Sequence, residues 1–297
     1  MGLTYPQPPF PKAYHDTSLL DSSFEHFPEI GCFKVSGPPR RIRTALAISC
    51  GTSLEEVYRS RIQGLNLSDP GSPSAAGFAL LSGTARDLVV DDGQGYAAAG
   101  GSLEVADLLD PLAPVIVGGT TLSYPPHALA RVGGDTVGAS TRCGLSVVDV
   151  SSPTSPQEVA FLWLRRTVDG WEGSSSPGQC FGSENDPLPL TSSGSLVVLA
   201  AEQSVLVVDV SAPESPTLVG WVDTYDPAVA IRAVGGVAYS VAYQEASYGE
   251  TIDISHPAEP GLIGYHNVGG WVLGAVIRGS WAYRIGPPGI QVASVED

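Results

Sequence analysis

The chain contains few lysines, one methionine and no long apolar run. Only Lys12 and Lys34 occur among its 297 residues, and the net charge at neutral pH is −16. Because the phosphates of nucleic acids need a basic face, this charge excludes nucleic acid as a partner and disfavours anionic membrane surfaces. No stretch approaches the roughly 18 apolar residues that span a bilayer, so we expect a soluble chain without membrane insertion.

Signals of compartment are also missing. The N-terminal region shows no basic segment followed by an apolar core, as a signal peptide would. An exported protein whose signal had been removed would look the same, so the compartment stays open. The four cysteines contain no Cys-x-x-Cys pair, which argues against a zinc or redox site. On the fold predicted below, two disulfides are possible, Cys143–Cys180 and Cys32–Cys50.

Motifs of common enzyme classes are absent as well. The chain has no Gly-x-Ser-x-Gly elbow, no His-Glu-x-x-His and no P-loop. A loose Gly-x-Gly-x-x-Ala match at 93–98 lies on a predicted hairpin without a following helix, which excludes a dinucleotide site. We therefore expect no organic cofactor. We also expect no metal, because His127, His266 and the nearby acids have no diagnostic ligand spacing.

What the chain does contain is a repeated phrase. Leu-Ser-Val-Val-Asp-Val-Ser-Ser-Pro at 145–153 returns as Leu-Val-Val-Asp-Val-Ser-Ala-Pro at 206–213, with weaker copies at 103–111 and 251–257. With two degenerate copies, the aspartate position is filled six times, by Asn66, Asp107, Asp149, Asp209, Asp253 and Ser294. The intervals are 41, 42, 60, 44 and 41 residues. This period, with four short apolar runs per unit, predicts an all-β, six-bladed β-propeller of four-stranded antiparallel blades.

We interpret the repeated aspartate as structural. It ends the third strand of each blade, where a carboxylate accepts backbone N–H bonds and starts a turn, and the following prolines stop the strand. A catalytic group is not needed six times. In the first blade, the spacing places the innermost strand near Thr44 and allows the second over 52–61.

The ends of the chain predict how the ring closes. The last unit stops after its third strand, and residues 27–35 are similar to the element that opens the fourth strand elsewhere. We expect this N-terminal strand to pair with the last blade, which would cover an open edge. Residues 1–26 then form an extended arm, and 27–297 form one propeller domain, which we expect to be a monomer.

The phrase Val-Val-Asp-Val-Ser-x-Pro-x-x-Pro-x-x-Val-Gly resembles the LVIVD repeat, which is found in bacterial and archaeal proteins. The resemblance covers about residues 60–297 and is strongest at 145–160 and 206–220. It implies a β-propeller, often exported or surface-associated. That family has no shared catalytic motif, so the resemblance implies no reaction.

We expect the functional residues at equivalent positions that differ between the repeats. These positions lie at the mouth of the central channel, on the face that carries the loops between blades. The insertion 165–186, which explains the long interval, is expected to cover this mouth as a loop. Four residues on that face are candidates for acid–base chemistry or oxyanion binding: His127, Asp186, Asp226 and Arg86. Eight more are candidates for ligand binding: Arg43, Tyr124, Trp171, Glu184, Tyr225, Tyr265, His266 and Trp271.

Two functions are consistent with this pattern. We predict a binding module that recognises a small molecule, a glycan or a protein partner at the channel mouth. The alternative is a cofactor-independent enzyme, a hydrolase, lyase or isomerase, that uses His127 as general acid or base on a small molecule. Because the fold does not determine the function, the choice between the two depends on the residues of the site. A closed pocket with a carboxylate facing His127 would favour the enzyme, whereas an exposed aromatic patch elsewhere would favour binding.

Overall fold

The structure is a computed structural model, and it describes residues 44–49, 60–66, 72, 74–110, 112–181, 188–242, 248–267, 274–278, 281–286 and 289–294. Within these ranges every regular element is a β-strand. None of the described residues forms a helix long and apolar enough to cross a membrane. Several predictions fall outside these ranges: the arm at 1–26, the strand at 27–35, and Arg43, Glu184, Asp186 and Trp271.

The strands form six antiparallel sheets, numbered here in chain order. Sheet 1 contains β1 (Thr44–Ser49), β2 (Arg61–Asn66) and β3 (Ser74–Leu80). Sheet 2 contains β4 (Ala85–Asp91), β5 (Gln94–Ala99), β6 (Ser102–Asp107) and β7 (Val115–Thr121). Sheet 3 contains β8 (Ala128–Arg131), β9 (Thr136–Thr141), β10 (Gly144–Asp149), β11 (Gln157–Thr167) and β12 (Gly170–Ser174).

The second half of the chain continues the series. Sheet 4 contains β13 (Leu190–Ser193), β14 (Leu196–Ala201), β15 (Ser204–Asp209) and β16 (Thr217–Asp223). Sheet 5 contains β17 (Ala228–Val234), β18 (Val237–Ala242), β19 (Tyr248–Asp253) and β20 (Gly261–Asn267). Sheet 6 contains β21 (Gly274–Arg278), β22 (Trp281–Gly286) and β23 (Gly289–Ser294). The predicted all-β class is confirmed for the described residues.

The first strands of sheets 2 to 6 contact one another in chain order and form an inner layer. Sheets 3 and 4 are covered on both faces by their neighbours, which explains why β10 and β15 are rich in buried valine and leucine rather than alternating. In sheet 3, Leu145 and Val147 pack towards sheet 4, whereas Val148 packs towards sheet 2. Each such fully buried side chain contributes roughly 1.5–3 kcal/mol of hydrophobic stabilisation.

The repeated aspartates act as turn caps, as the sequence predicts. Asp149, Asp209 and Asp253 each accept a hydrogen bond at 2.8 Å from the backbone N–H two residues later. In Asp107 the same bond, from Leu109 N–H, is 2.9 Å long. These bonds stabilise the ionised carboxylate, so the backbone N–H of Ser151 lowers the pKa of Asp149. The structural interpretation of these residues is therefore confirmed.

The glycine that closes the phrase makes the contact between neighbouring sheets. A Cβ on Gly220 in β16 would overlap the carbonyl oxygen of Pro257 and lie 2.7 Å from Cδ of Pro260, both in the proline turn of sheet 5. Gly118 in β7 meets the corresponding turn of sheet 3 in the same way, with a Cβ 2.8 Å from Cα of Thr154. At these two positions the outer strand therefore has no room for a side chain where the neighbouring turn crosses it.

Sheet 1 differs from the sequence expectation. Thr44 lies opposite Asn66, which fills the aspartate position of its unit. In sheet 2 the residue opposite Asp107 is Gln94, which begins the second strand. Strand β1 therefore occupies the second position of its sheet and is not the innermost strand predicted near Thr44. The prediction assumed a tight turn before β2, as in the other sheets, but the period constrains the total length of a unit and not the length of each loop.

The insertion also differs from its prediction as a loop over the channel mouth. Its first part extends β11 and returns as β12, a fifth strand at the outer edge of sheet 3. Trp171 of β12 is 5% exposed, and its ring meets Phe181 edge-on, with ring centroids 5.2 Å apart. Burial of these two aromatic side chains against sheet 4 favours a packed strand over an open loop.

A disulfide joins Cys143 to Cys180, one of the two pairings that the sequence left open. Cys143 is buried in the turn between β9 and β10, and Cys180 follows β12. Next to it, Phe181 N–H donates to the carbonyl oxygen of Arg142 at 2.8 Å. The disulfide and this hydrogen bond hold the end of the insertion against the turn between β9 and β10. The alternative pair, Cys32 and Cys50, lies outside the described residues.

Candidate functional site

Two of the predicted catalytic residues meet at the inner strands. Arg86 is the second residue of β4, and His127 directly precedes β8. Arg86 Nη1 lies 3.4 Å from His127 Nδ1. A guanidinium has only N–H donors, so Arg86 can donate to His127 Nδ1 only in the tautomer that carries the ring proton on Nε2.

Asp226 is not part of this pair. It lies in the loop between sheets 4 and 5, where its negative charge acts on Glu250. Asp186, the other predicted acid, lies outside the described residues. The three predicted catalytic residues that the structure describes therefore divide between the inner strands of sheets 2 and 3 and the loop before sheet 5.

The aromatic candidates lie away from the inner strands. Tyr265 is in β20, the outermost strand of sheet 5, and Tyr225 is in the loop that enters that sheet. Their ring centroids are 5.5 Å apart at an interplanar angle of 61°. Tyr225 is 56% exposed and Tyr265 is 58% exposed. Two predicted ligand-binding residues, 40 positions apart in the chain, thus form one exposed aromatic surface, called here the tyrosine pair.

Glu250 holds the tyrosine pair in place. It lies opposite Tyr265 in the register of β19 and β20, and it is 1% exposed. Its Oε1 accepts the backbone N–H of Tyr225 at 2.7 Å, and its Oε2 accepts the hydroxyl of Ser240 at 2.9 Å. Burial raises the pKa of Glu250 above its ordinary value, and the charge of Asp226 raises it further, although both hydrogen bonds act in the opposite direction.

Replacing Glu250 by glutamine is expected to flatten part of the pH dependence of stability. Because the pKa is raised in the folded state, the native protein holds the proton more tightly, and stability is lost as pH rises from the ordinary value of 4.5 through the raised pKa. Glutamine does not ionise, so this loss disappears. Urea unfolding of wild type and Glu250→Gln at several pH values measures the difference. Parallel pH profiles for the two proteins would contradict the assignment.

A polar groove adjoins the tyrosine pair. It has a volume of about 320 Å³ and lies between the end of β11, the turn joining β14 to β15, and the end of β16. Its lining residues are Arg166, Glu202, Gln203, Asp223 and Thr224. Gln203 Nε2 donates to the carbonyl oxygen of Tyr225 at 3.4 Å, so the groove adjoins the backbone of the residue that carries one ring of the tyrosine pair.

Arg166 is the most constrained side chain of this groove. Its Nη1 lies 2.9 Å from Asp223 Oδ1 and 2.5 Å from the hydroxyl of Ser204. Its guanidinium carbon is 5.8 Å from the ring centroids of both Trp171 and Trp221. Although burial raises the pKa of Asp223, the hydrogen bonds from Arg166 and Ser204 and the Arg166 charge outweigh it and lower the pKa below its usual range.

The remaining aromatic candidates pack inside the protein. Tyr124 contacts Phe161 and Trp163 of β11, with ring centroids 5.2 Å away in each case. Trp171 is buried against Phe181 and does not line a channel mouth as predicted, because β12 carries it to the outer edge of sheet 3. His266 is in β20, beside Tyr265. The described residues contain no group of three or more His, Cys, Asp or Glu able to hold a metal ion.

Glu250 was missed by the sequence reasoning, although the repeat carries a signal for it. Glu250 lies three residues before Asp253, and Glu104 lies three residues before Asp107, whereas Leu206 fills the same position in sheet 4. Glu104 Oε1 likewise accepts a backbone N–H at 2.8 Å, from Ser82 in the loop entering its sheet. An acid inside a strand that is otherwise apolar would have identified both residues. Arg166 and Asp223 carry no comparable signal.

Known proteins confirm the propeller-like fold. The periplasmic gluconolactonase PpgL of Pseudomonas aeruginosa is similar over 88% of this chain and 80% of its own, with a TM-score of 0.65 and 11% identity. A functionally unknown protein from Desulfotomaculum acetoxidans DSM 771 has a TM-score of 0.62 at 12% identity, covering 89% of this chain and 83% of its own. The computationally designed protein Ika8 has a TM-score of 0.56 at 12% identity, covering 91% of this chain and 84% of its own.

Sequence comparison identifies the repeat itself. A search of curated proteins returns no significant match. The LVIVD repeat family, by contrast, matches residues 139–161 and 193–224, which include β10 and β15 with their turn-capping aspartates. The chain therefore contains LVIVD repeats, as its repeated phrase indicates, and its described residues have a propeller-like all-β fold.

Proposed function

We propose that this protein is a propeller-type binding module, and that its ligand, a small molecule or glycan, binds at the tyrosine pair. The observation that carries the proposal is the exposure of two adjacent aromatic rings, Tyr225 and Tyr265, above a buried glutamate that fixes the backbone of the loop. Exposed aromatic rings present a large contact area at a low cost in conformational entropy, which suits a preorganised binding surface.

The architecture that supports this surface is proposed to be a closed ring of six blades. Six sheets and a series of contacting inner strands support six blades. Sheets 1 and 6 each show three described strands, and we propose that residues 27–35 add the fourth strand to β23. An experimental structure checks this directly: residues 27–35 hydrogen-bonded to a strand other than β23 would contradict the closure.

Binding is favoured over the enzymatic alternative by the contact at the inner strands. An acid–base enzyme would use His127 as general acid or base, but the side chain at its Nδ1 is the guanidinium of Arg86 and not a carboxylate that would orient it. The exposed aromatic surface, in contrast, lies at the outermost strand of sheet 5 and the loop entering that sheet, as expected for a binding module. We therefore place the ligand at sheets 4 and 5 and not at the channel mouth predicted from the sequence.

Ligand-observed saturation-transfer NMR with a library of neutral sugars and uncharged aromatic fragments tests the proposal. Probes that bind wild type are expected to lose about tenfold in affinity with Tyr265→Ala, corresponding to ~1.4 kcal/mol of lost aromatic contact. Phe78→Ala is the matched control, because Phe78 is also an aromatic residue of an outer strand and is 50% exposed. No binding probe at all, or equal loss with both variants, would overturn the proposal.

A further inference from the structure

The groove beside the tyrosine pair has the composition of a carbohydrate subsite. Its volume of about 320 Å³ lies at the lower end of the range for small-molecule sites, roughly 300–1,000 Å³. One sugar ring fits such a volume better than a large apolar ligand does. The groove lies next to the backbone of Tyr225, because Thr224 lines it and Gln203, also in the lining, donates to the Tyr225 carbonyl oxygen.

The polar groups of the groove include both donors and acceptors, and their charges are largely compensated. Arg166 is paired with Asp223 and packs between two indole rings, so its guanidinium is held rigidly. Gln203 and Thr224 add neutral side chains able to donate and accept. Sugar hydroxyls both donate and accept, which matches this set. A free anion would meet the carboxylates of Glu202 and Asp223 and a chain of net charge −16.

Glu202 occupies a backbone conformation that favours glycine. Its φ is +52°, in the turn between β14 and β15. In sheet 2 the equivalent residue is Gly100, with a φ of +60°. A glutamate in this region is strained, and strain retained at a groove indicates a role for the side chain. The structure therefore marks Glu202 as a residue kept for contact with a ligand.

We propose that the ligand is a neutral oligosaccharide, with one sugar on the tyrosine pair and the next in the groove, contacted by Glu202 and Gln203. This inference rests on the proposed function. The aromatic faces stack on one ring, and the fixed polar groups beside them bind the hydroxyls of the neighbouring ring. An organic cation, which would also suit aromatic rings and carboxylates, is the competing ligand that the experiment must separate.

The experiment is a neutral glycan array of mono- to tetrasaccharides, followed by calorimetry on the sugars that bind. Wild type is expected to bind disaccharides about tenfold or more tightly than monosaccharides, since each tenfold corresponds to ~1.4 kcal/mol. Glu202→Gly removes the carboxylate and relieves the backbone strain, so this variant is expected to fold at least as stably as wild type. It should keep monosaccharide binding and lose the gain with chain length. Tyr265→Ala should lose both.

The other outcomes separate the two proposals. Binding that is independent of chain length and of Glu202, yet lost in Tyr265→Ala, would overturn the groove subsite and keep the function of the tyrosine pair. Binding of choline without binding of its uncharged isostere 3,3-dimethylbutanol would assign an organic cation and overturn the oligosaccharide. If no glycan binds, this inference is overturned, and the aromatic fragments of the NMR library still decide the proposed function.

Discussion

Replacing Gly220 by alanine is expected to lower the free energy of unfolding by roughly 1–3 kcal/mol, as at other overpacked sites. The added Cβ would overlap the carbonyl oxygen of Pro257 and lie 2.7 Å from Cδ of Pro260. Both neighbours are in a proline turn capped by Asp253, so its backbone cannot move aside without losing the cap. Urea-induced unfolding followed by circular dichroism measures the change.

Gly261→Ala provides the matched control for Gly220→Ala. Gly261 begins β20 in the next sheet, and no atom lies within 4 Å of a Cβ built on it. Alanine there is expected to leave the free energy of unfolding unchanged, or to raise it by roughly 0.4–1 kcal/mol because it reduces the conformational entropy of the unfolded chain. If both variants are destabilised equally, the loss of glycine itself, and not the contact between sheets, accounts for the effect.

Removing the disulfide is expected to cost roughly 3–4 kcal/mol, the loop-closure entropy for a crosslink of this span. Cys143 and Cys180 are 37 residues apart, and the enclosed segment contains β10, β11 and β12. Without the bond, the end of the insertion is held by the packing of Phe181 and its backbone hydrogen bond. Urea unfolding with and without dithiothreitol measures the contribution.

The double variant Cys143→Ala/Cys180→Ser controls for other effects of the reductant. Its unfolding midpoint should equal that of reduced wild type and should not change with dithiothreitol. An unchanged midpoint for wild type after complete reduction, verified by thiol titration, would show that packing alone holds the insertion. Sensitivity of the double variant would place the reductant's effect elsewhere in the chain.

The repeated units could be predicted because their signals are local. A valine-rich run followed by aspartate, serine and proline specifies a strand and the turn that ends it, wherever the unit lies in the chain. Asp149, Asp209 and Asp253 therefore make the predicted bonds. The role of Gly220 could not be predicted, because the atoms that exclude a side chain there belong to a turn 37 residues away.

The candidate site could be predicted only in part, for the same reason. Tyr225 and Tyr265 stood out as residues that differ between units, and the structure brings them together. They were expected on the channel-mouth face, and the structure places Tyr265 in the outermost strand of sheet 5 and Tyr225 in the loop entering that sheet. Trp171 was assigned to the same site, but a fifth strand turns it into the core. Strand number and edge position depend on which surfaces neighbouring sheets leave uncovered.

By itself, the sequence determined the repeat, the all-β class and the turn caps, because these follow from local patterns. Only the tertiary structure decided which residues share a surface. The groove combines the end of β11, the turn between β14 and β15 and the end of β16, and the tyrosine pair adds β20. These segments are brought together by the packing of sheets 3, 4 and 5, and contacts between sheets leave no periodic signal in the chain.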